Sequence, residues 1–492
     1  MNQTLAQVAA SLCVDLIGED RIFSRVSINT RTLEAGDLFV AIKGENFDGH
    51  DYIKQAEEKG ACGLIVEQCC SSVLPQIIVE NTRVALGDIA SLWSSAFSLP
   101  IVAITGSCGK TTVKEMTAAI FQQAYGVEAV LSTKGNLNND IGVPLTLLRL
   151  KKEHKAAVIE LGANHVGEIQ QLVNMVQPDV AVITNVTHAH IEGFGSIEGI
   201  ARGKAEIYTG LESDGTAVIN ADDDFAEYWQ TFCKEHGGQE QLVQNVKIKQ
   251  LTFGLNSRGL KKGPDISADY KQLHDGLELT IKTPDGKQKI HLKQFGKHNV
   301  YNALAAAAVT LSSGCTLEHI KNGLESFTNV SGRLEQKPGL NGAMIFDDTY
   351  NANPGSVRAG IDAIKQVESE IKGEAILILG DMGELGNESR QLHYQLGVDV
   401  AKMGIKQLFT VGTLSQETAD GYNSVFVEKD GHAIHFADKN ELIHKVKSKL
   451  HKHSVVLIKG SRTMAMETVV DSLIDKTLDE SLNKKQIIKG GE

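Results

Sequence analysis

No stretch of the sequence approaches the ~20 consecutive apolar residues that a membrane-spanning helix needs, so no membrane insertion is expected. The first twenty residues, MNQTLAQVAASLCVDLIGED, lack a basic segment followed by an apolar one and do not read as a secretory signal. No two cysteines stand at CxxC spacing; the seven present are scattered, apart from the adjacent Cys69 and Cys70. That usage fits reduced thiols in a cytoplasm, nearly all of them small buried hydrophobes. Internal repeats and low-complexity tracts are missing too. Positive charge is in deficit: 49 Lys and Arg against 61 Asp and Glu give a formal net charge of −12. An acidic surface argues against a general nucleic-acid binder, leaving room for a local basic pocket around a phosphorylated ligand.

What remains is a soluble globular composition, 42% apolar and 22% charged, on a chain of 492 residues, too long for one ordinary core. Three blocks separate. Residues 1–99 carry short apolar runs at Asp37–Ile42, Gly63–Val66 and Ile77–Val79, which predict a small α/β domain. Residues 100–330 open with Ile101-Val-Ala-Ile-Thr-Gly, break at the glycine and continue into a helix-forming stretch from Lys110 to Phe121. Two further runs, Ala156–Leu161 and Val180–Val186, each end on polar residues. Strands that alternate with helices and carry polar C-terminal ends predict a mostly parallel sheet binding a ligand at that edge. The polar stretch Glu235–Asp265 reads as a surface excursion, Gly276–Phe295 as antiparallel β-structure, and alanine-rich Asn299–Ser312 as a closely packed helix. Residues 331–492 repeat the α/β rhythm at Ala343–Phe346, Ala375–Leu379, Gln407–Val411 and Val455–Ile458, before a charged, frayed tail over Asn483–Glu492.

The most specific motif is Thr105-Gly106-Ser107-Cys108-Gly109-Lys110-Thr111-Thr112, between a strand and a helix. A glycine turn there aims backbone N–H groups at phosphate oxygens, and the helix N-terminus adds positive potential. Lys110 would reach the β- and γ-phosphates, and the Thr111 hydroxyl would bind Mg²⁺. The loop is shorter than a standard Walker A loop, since Ile104 stands where the first glycine would be. Glu160, in VIELGANH, and His190, in NVTHAHIEGFGS, follow neighbouring strands and would reach the same edge. Mg²⁺ takes oxygen ligands, which suits Glu160 and Thr111; His190 taken alone is an ordinary polar loop histidine. Asn299 and Asn302 share a helix face and need polar partners if buried, although Asn299 also suits a helix cap. Asp347-Asp348 after a strand would equally cap the next helix, and Lys204 in GKAEIYTGL looks like a solvated lysine at an amphipathic helix start.

TGSCGKTT, ELGANH, NVTHAHIEGFGS, GKAEIY, FGKHNVYNALAA, SGRLE and DDTYNANPGS together resemble the Mur ligase family, which includes the folylpolyglutamate synthetases. The likeness spans nearly the whole chain. GDLFVAIKGENFDGHDY, STKGNLNNDIGVPLTLL, LGDMGELG and KGSRTMAMETVV are most similar to the member that adds D-alanyl-D-alanine, and the DNPR-type motif of the ligase adding the third residue is not found. The resemblance implies three α/β domains: residues 1–99 for a UDP-linked muramoyl tripeptide, 100–330 for ATP, and a Rossmann-like 331–492 that receives the dipeptide and closes on ATP. It implies ATP, two Mg²⁺ ions and a monomer acting in cell-wall precursor synthesis. Residue by residue, Gly106 to Thr112 would hold the phosphates, and Thr111, Glu160, His190 and Lys204 the metals, with Lys204 carbamylated. Asn299 and Asn302 would face the adenine and nucleotide, and Arg333 and Asp348 a phosphate and the ribose. Asn29, Thr30, Arg31 and the loop from Lys43 to Asn46 would meet UDP, and Tyr350, Asn351 and Asn353 the dipeptide. The catalytic group would be Lys110, His190, Lys204 and Arg333. A sister ligase adding one amino acid is the near alternative; a nucleotide switch or motor ATPase, from another class, leaves NANPGS and KGSRTMAMETVV without a role.

Overall fold

The computed structural model describes residues 3–44, 47–187, 191–236, 248–256, 263–425 and 432–479. Its centre is a six-stranded, wholly parallel sheet in the order Lys249–Phe253, Thr216–Asn220, Val180–Ile183, Ile101–Thr105, Ala156–Glu160, Val130–Ser132. Helices cover both faces, so its inner strands Ile101–Thr105, Ala156–Glu160 and Val180–Ile183 are near-continuous apolar runs. Within Ile101–Thr105, Val102 and Ile104 pack on one side against Val113, Met116 and the alanines of the Lys297–Ser312 helix. Ile101 and Ala103 pack on the other against Leu172, Val173 and Tyr208. From Ile101–Thr105 the chain first builds strands to one side and then, at Val180–Ile183, to the other. That reversal opens a crevice at the carboxyl ends of the strands, where doubly wound sheets bind ligands.

A five-stranded sheet forms the N-terminal unit: Leu16–Ile17, antiparallel to its neighbour, then Gln76–Ile78, Gly63–Val66, Leu38–Val40 and Val26–Ser27 in parallel. The Thr82–Ser94 helix seats this unit on the centre; Trp93 Nε1 donates to the Leu150 carbonyl at 3.1 Å, and Ala90 is fully buried in the central core. The C-terminal unit has a six-stranded sheet in the order Glu335–Pro338, Met344–Asp348, Ser454–Lys459, Glu374–Leu379, Gln407–Val411, His432–Phe436, parallel except for its first strand. A three-stranded antiparallel sheet, Ser267–Leu273, Gly276–Thr283 and Gly286–Leu292, lies beside the centre.

Three expectations change. Within the stretch read as a surface excursion, Lys249–Phe253 is the edge strand of the central sheet, and Phe253 is fully buried. Alternation is hidden there because the partner strand satisfies the backbone while lysine and glutamine face solvent. Only Cys62, Cys233 and Cys315 are buried; all seven cysteines are free thiols, with Cys13 and Cys69 exposed and Cys108 in the phosphate loop. His432–Phe436 is a strand that no apolar run announces. The tail over Asn483–Glu492 lies outside the described residues. Among the described residues no helix is long and apolar enough to cross a membrane.

Candidate active site

The phosphate loop is fixed to the strand beside it before any ligand is considered. Ser107 N–H donates to the Asn185 carbonyl at 2.9 Å, and Cys108 N–H to Asn185 Oδ1 at 3.0 Å. Thr184 Oγ1 and Asn185 Nδ2 return bonds to the Cys108 carbonyl at 2.6 and 3.1 Å. Two glycines are required. A Cβ on Gly106 (φ +150°) would lie 1.9 Å from Thr184 Oγ1, and one on Gly109 (φ +83°) 2.5 Å from Asn302 Oδ1. Lys110 begins the helix and folds back, its Nζ donating to the Gly106 carbonyl at 2.7 Å. Desolvation lowers its pKa, with Glu160 and Cys108 acting in the opposite sense.

A cavity of about 790 Å³ opens over this loop. Its lining brings together Ser107 to Thr112, Glu160, Asn299, Asn302, Arg333, Asp348, Tyr350, Asn351 and Asn353. Residues distant in sequence therefore share one wall. Arg333 Nη2 donates to Thr111 Oγ1 at 3.1 Å, and its guanidinium lies 4.2 Å from the Tyr350 ring centre. Asn353 caps the Pro354–Ile371 helix and turns its amide to Cys108 Sγ at 3.4 Å, joining the C-terminal unit to the phosphate loop. Asp348 does not cap that helix; its Oδ2 accepts from buried Lys459 Nζ at 2.6 Å, and its Oδ1 accepts from Leu334 N–H. Burial raises the Asp348 carboxyl, against Lys459 and Arg333, which lower it. Asn302 Nδ2 donates to Asn299 Oδ1 at 2.8 Å, and Asn299 Nδ2 to the Phe295 carbonyl at 2.9 Å, so the pair is partnered by its own helix and the segment leading into it.

Lys204 is the largest departure from its sequence pattern: it is 1% exposed, with Nζ 5.6 Å from the Phe194 ring centre. Desolvation, then the charge of Lys110, push its pKa down to about 7. It does not line the cavity, and neither does Gly106. His190, Glu45 and Asn46 lie outside the described residues. Asn29, Thr30, Arg31 and Lys43 sit on the N-terminal unit, away from this lining: Thr30 Oγ1 donates to Gln55 Oε1 at 2.5 Å, Asn29 Oδ1 accepts from Arg31 N–H at 2.9 Å, and Lys43 forms a bridge with Asp48. Lining residues that the sequence alone does not single out include Asn136, Asn138, Asp222, His298, Glu384 and Lys459. Lys459 stands in KGSR directly after an apolar run, the same strand-end signal that exposed Glu160.

His298 gives a prediction of its own. Desolvation in the cleft, with Lys459 nearby, lowers its imidazole to about 4, and Nε2 faces Asn299 Nδ2 at 3.2 Å as a neutral acceptor would. The unfolded chain, at an ordinary pKa of ~6.5, binds the extra proton between these values. The stability held by neutral His298 is therefore present above pH ~6.5 and is lost as the pH falls toward 4. Urea unfolding of His298→Gln should lose stability less steeply than the parent over that window; identical slopes would refute it.

The comparisons with known proteins converge on one family. The chain matches the Mur ligase middle domain over residues 104–310, the Mur ligase glutamate ligase domain over 332–462, and the Mur ligase family catalytic domain over 23–93. It is 42% identical over 475 residues to the UDP-N-acetylmuramoyl-tripeptide–D-alanyl-D-alanine ligase of Escherichia coli strain K12, covering 96% of this chain and 98% of that protein. Among solved structures, MurF from Acinetobacter baumannii superposes with a TM-score of 0.84 at 34% identity, covering 96% of this chain and 98% of that one. MurF from Thermotoga maritima in complex with ADP superposes with a TM-score of 0.77 at 26% identity, covering 94% and 98%. The chain belongs to the Mur ligase family, whose members are ATP-dependent amide ligases.

Proposed function

We propose that this chain joins D-alanyl-D-alanine to UDP-N-acetylmuramoyl-tripeptide, with cleavage of ATP to ADP and phosphate, in peptidoglycan precursor synthesis. The observation that carries this is the shared cavity wall, where the phosphate loop of one unit meets Arg333, Asp348 and Tyr350 to Asn353 of the next. The named function of the E. coli relative, matched over almost its full length, supports the choice of substrates. In this reading residues 1–99 bind the UDP end, 100–330 bind ATP, and 331–492 receive the dipeptide.

The chemistry is amide formation in two steps. The tripeptide's terminal carboxylate oxygen attacks the γ-phosphorus of ATP; its bond to the bridging oxygen breaks and ADP leaves. The dipeptide amine then attacks the acyl carbon and phosphate leaves, with a proton lost from nitrogen. His190 and a carbamate on Lys204 are the two candidates to receive that proton. Lys110 and the phosphate-loop amides hold the phosphates, and Arg333 brings a further positive charge, so the chain acts mainly by positioning and electrostatic stabilisation. Phosphates entering beside Lys110 reverse the effect of its desolvation and keep it charged. The contacts Arg333–Thr111 and Asn353–Cys108 tie the C-terminal unit over the loop and help exclude water from the acyl phosphate.

The residues present fit Mg²⁺. Glu160 Oε2 is buried without a partner among the described residues, and the Thr111 hydroxyl lines the same cavity. Thr111 and Glu160 would hold one ion, and Glu160, His190 and Lys204 a second; bound there, Mg²⁺ supplies neutralisation of phosphate charge.

The test is a panel of amines with the muramoyl tripeptide and ATP, read by phosphate release. D-Alanyl-D-alanine should exceed free D-alanine and L-amino acids by at least ~100-fold in kcat/KM, since a site built for the dipeptide leaves buried polar groups unpaired with a shorter ligand. Preference for a free amino acid would move the chain to a sister ligase.

A further inference from the structure

The loop between Val130–Ser132 and the Gly142–Leu147 helix is fastened to the end of the Ala156–Glu160 strand by more bonds than a surface connection needs. Buried Lys114 donates to the Thr133 carbonyl at 2.8 Å, and Thr133 N–H to the Val158 carbonyl at 3.1 Å. Thr133 Oγ1 accepts from Glu160 N–H at 2.9 Å. Further along, the Asn138 carbonyl accepts from Gly162 N–H at 2.8 Å. A Cβ on Gly162 would stand 2.9 Å from Asn138 Cγ and Oδ1, so loop and strand end are in direct contact.

At the centre of this clasp, Asn138 Nδ2 donates to Glu160 Oε1 at 2.9 Å. Glu160 is 2% exposed, and its other oxygen, Oε2, has no hydrogen-bond partner among the described residues. Both residues line the cavity over the phosphate loop. An unmet lone pair on a buried carboxylate is costly, so the arrangement is made for a positive partner. The donor to Oε1 is a neutral amide. A lysine or arginine there would fix the carboxylate equally well but cancel its charge, whereas an amide fixes it and leaves the negative charge for a cation.

We propose that Asn138 is a positioning residue that presents Glu160 to a nucleotide-bound divalent cation. This rests on the nucleotide–Mg²⁺ reading above and deepens it, since Asn138 would act through its hydrogen bond to the Glu160 carboxylate. Groups of this kind, one bond behind a ligand, change metal affinity by ~10–100-fold when removed.

Mn²⁺ binding to the ADP complex, followed by electron paramagnetic resonance on the full chain, tests it. Asn138→Leu, which keeps the size and loses the donor, should weaken Mn²⁺ by ~10–100-fold while ADP affinity in EDTA stays within about twofold. In a Glu160→Gln background the same substitution should cost nothing further, because its route runs through the carboxylate. Asn138→Ser provides a second variant if the leucine protein melts early. Mn²⁺ affinity within about twofold of the parent would overturn the proposal, as would losses that add in the double variant. A parent protein that binds no Mn²⁺ with ADP would overturn the nucleotide–metal reading and this proposal together; binding by the parent with no change in Asn138→Leu overturns this one alone.

Discussion

Replacing Lys110 by alanine is expected to lower ATP-dependent amide formation by at least ~100-fold, with the melting temperature little changed. The ammonium sits where the phosphate chain of ATP would pass, at the first residue of the Lys110–Tyr125 helix, held by the Gly106 carbonyl at 2.7 Å. It is therefore oriented before the reaction, and its stabilisation of charge developing at the γ-phosphoryl group needs little reorganisation. Desolvation, which lowers its pKa, also strengthens each interaction it makes with an anion. The loop's shape comes from Asn185, Thr184 and the two glycines, not from the lysine, so the fold survives the change. Phosphate release with all three substrates, beside a thermal melt, checks this. Near-normal turnover in a folded variant would end the assignment of the phosphate site.

The parts of this molecule legible in sequence are those whose cause is local. Ile101–Thr105, Ala156–Glu160 and Val180–Ile183 are visible because a parallel strand buried on both faces is apolar along nearly its whole length. The phosphate loop is visible because its turn holds Gly106 and Gly109 at positive φ, a local demand that sets glycines shortly before and within GKTT. Residues whose role depends on distant partners are not. Asn138 is one asparagine among several in KGNLNND, and only the packing of its loop on Gly162 selects it. Lys459 becomes part of the cavity through Asp348, 111 residues away. Asp348 reads as a cap until that lysine is seen, and Asn353 holds the capping role. The residues read as UDP-facing show the converse: Asn29 and Thr30 have motif support, while the bonds they make stay inside the N-terminal unit, to Arg31 and Gln55.

Lys204→Ala is expected to be nearly inactive, and short carboxylates such as acetate or formate should restore part of its activity. Pattern alone gives a solvated ammonium, since GKAEIYTGL begins like an ordinary amphipathic helix. Burial removes that reading: the side chain is 1% exposed and packs beside Phe194. A lone ammonium there is disfavoured by desolvation and by the charge of Lys110, which together bring its pKa down to about 7. Near neutral pH a large share is then free amine, the form that adds CO₂: the nitrogen lone pair takes the carbon, and the proton it sheds goes to solvent. The product is an anionic carbamate where the amine was a cation. That reverses the repulsion by Lys110 and supplies oxygens suited to the Mg²⁺ proposed beside Glu160. Truncation to alanine removes both the charge and the chain that carried it, leaving room for a small carboxylate at the same position. Rescue should therefore rise with acetate or formate concentration, saturate, and fail with neutral acetamide, which has the shape without the charge. An unmodified, structural lysine gives the opposite pattern: Lys204→Ala loses stability in a melt, and no carboxylate restores activity.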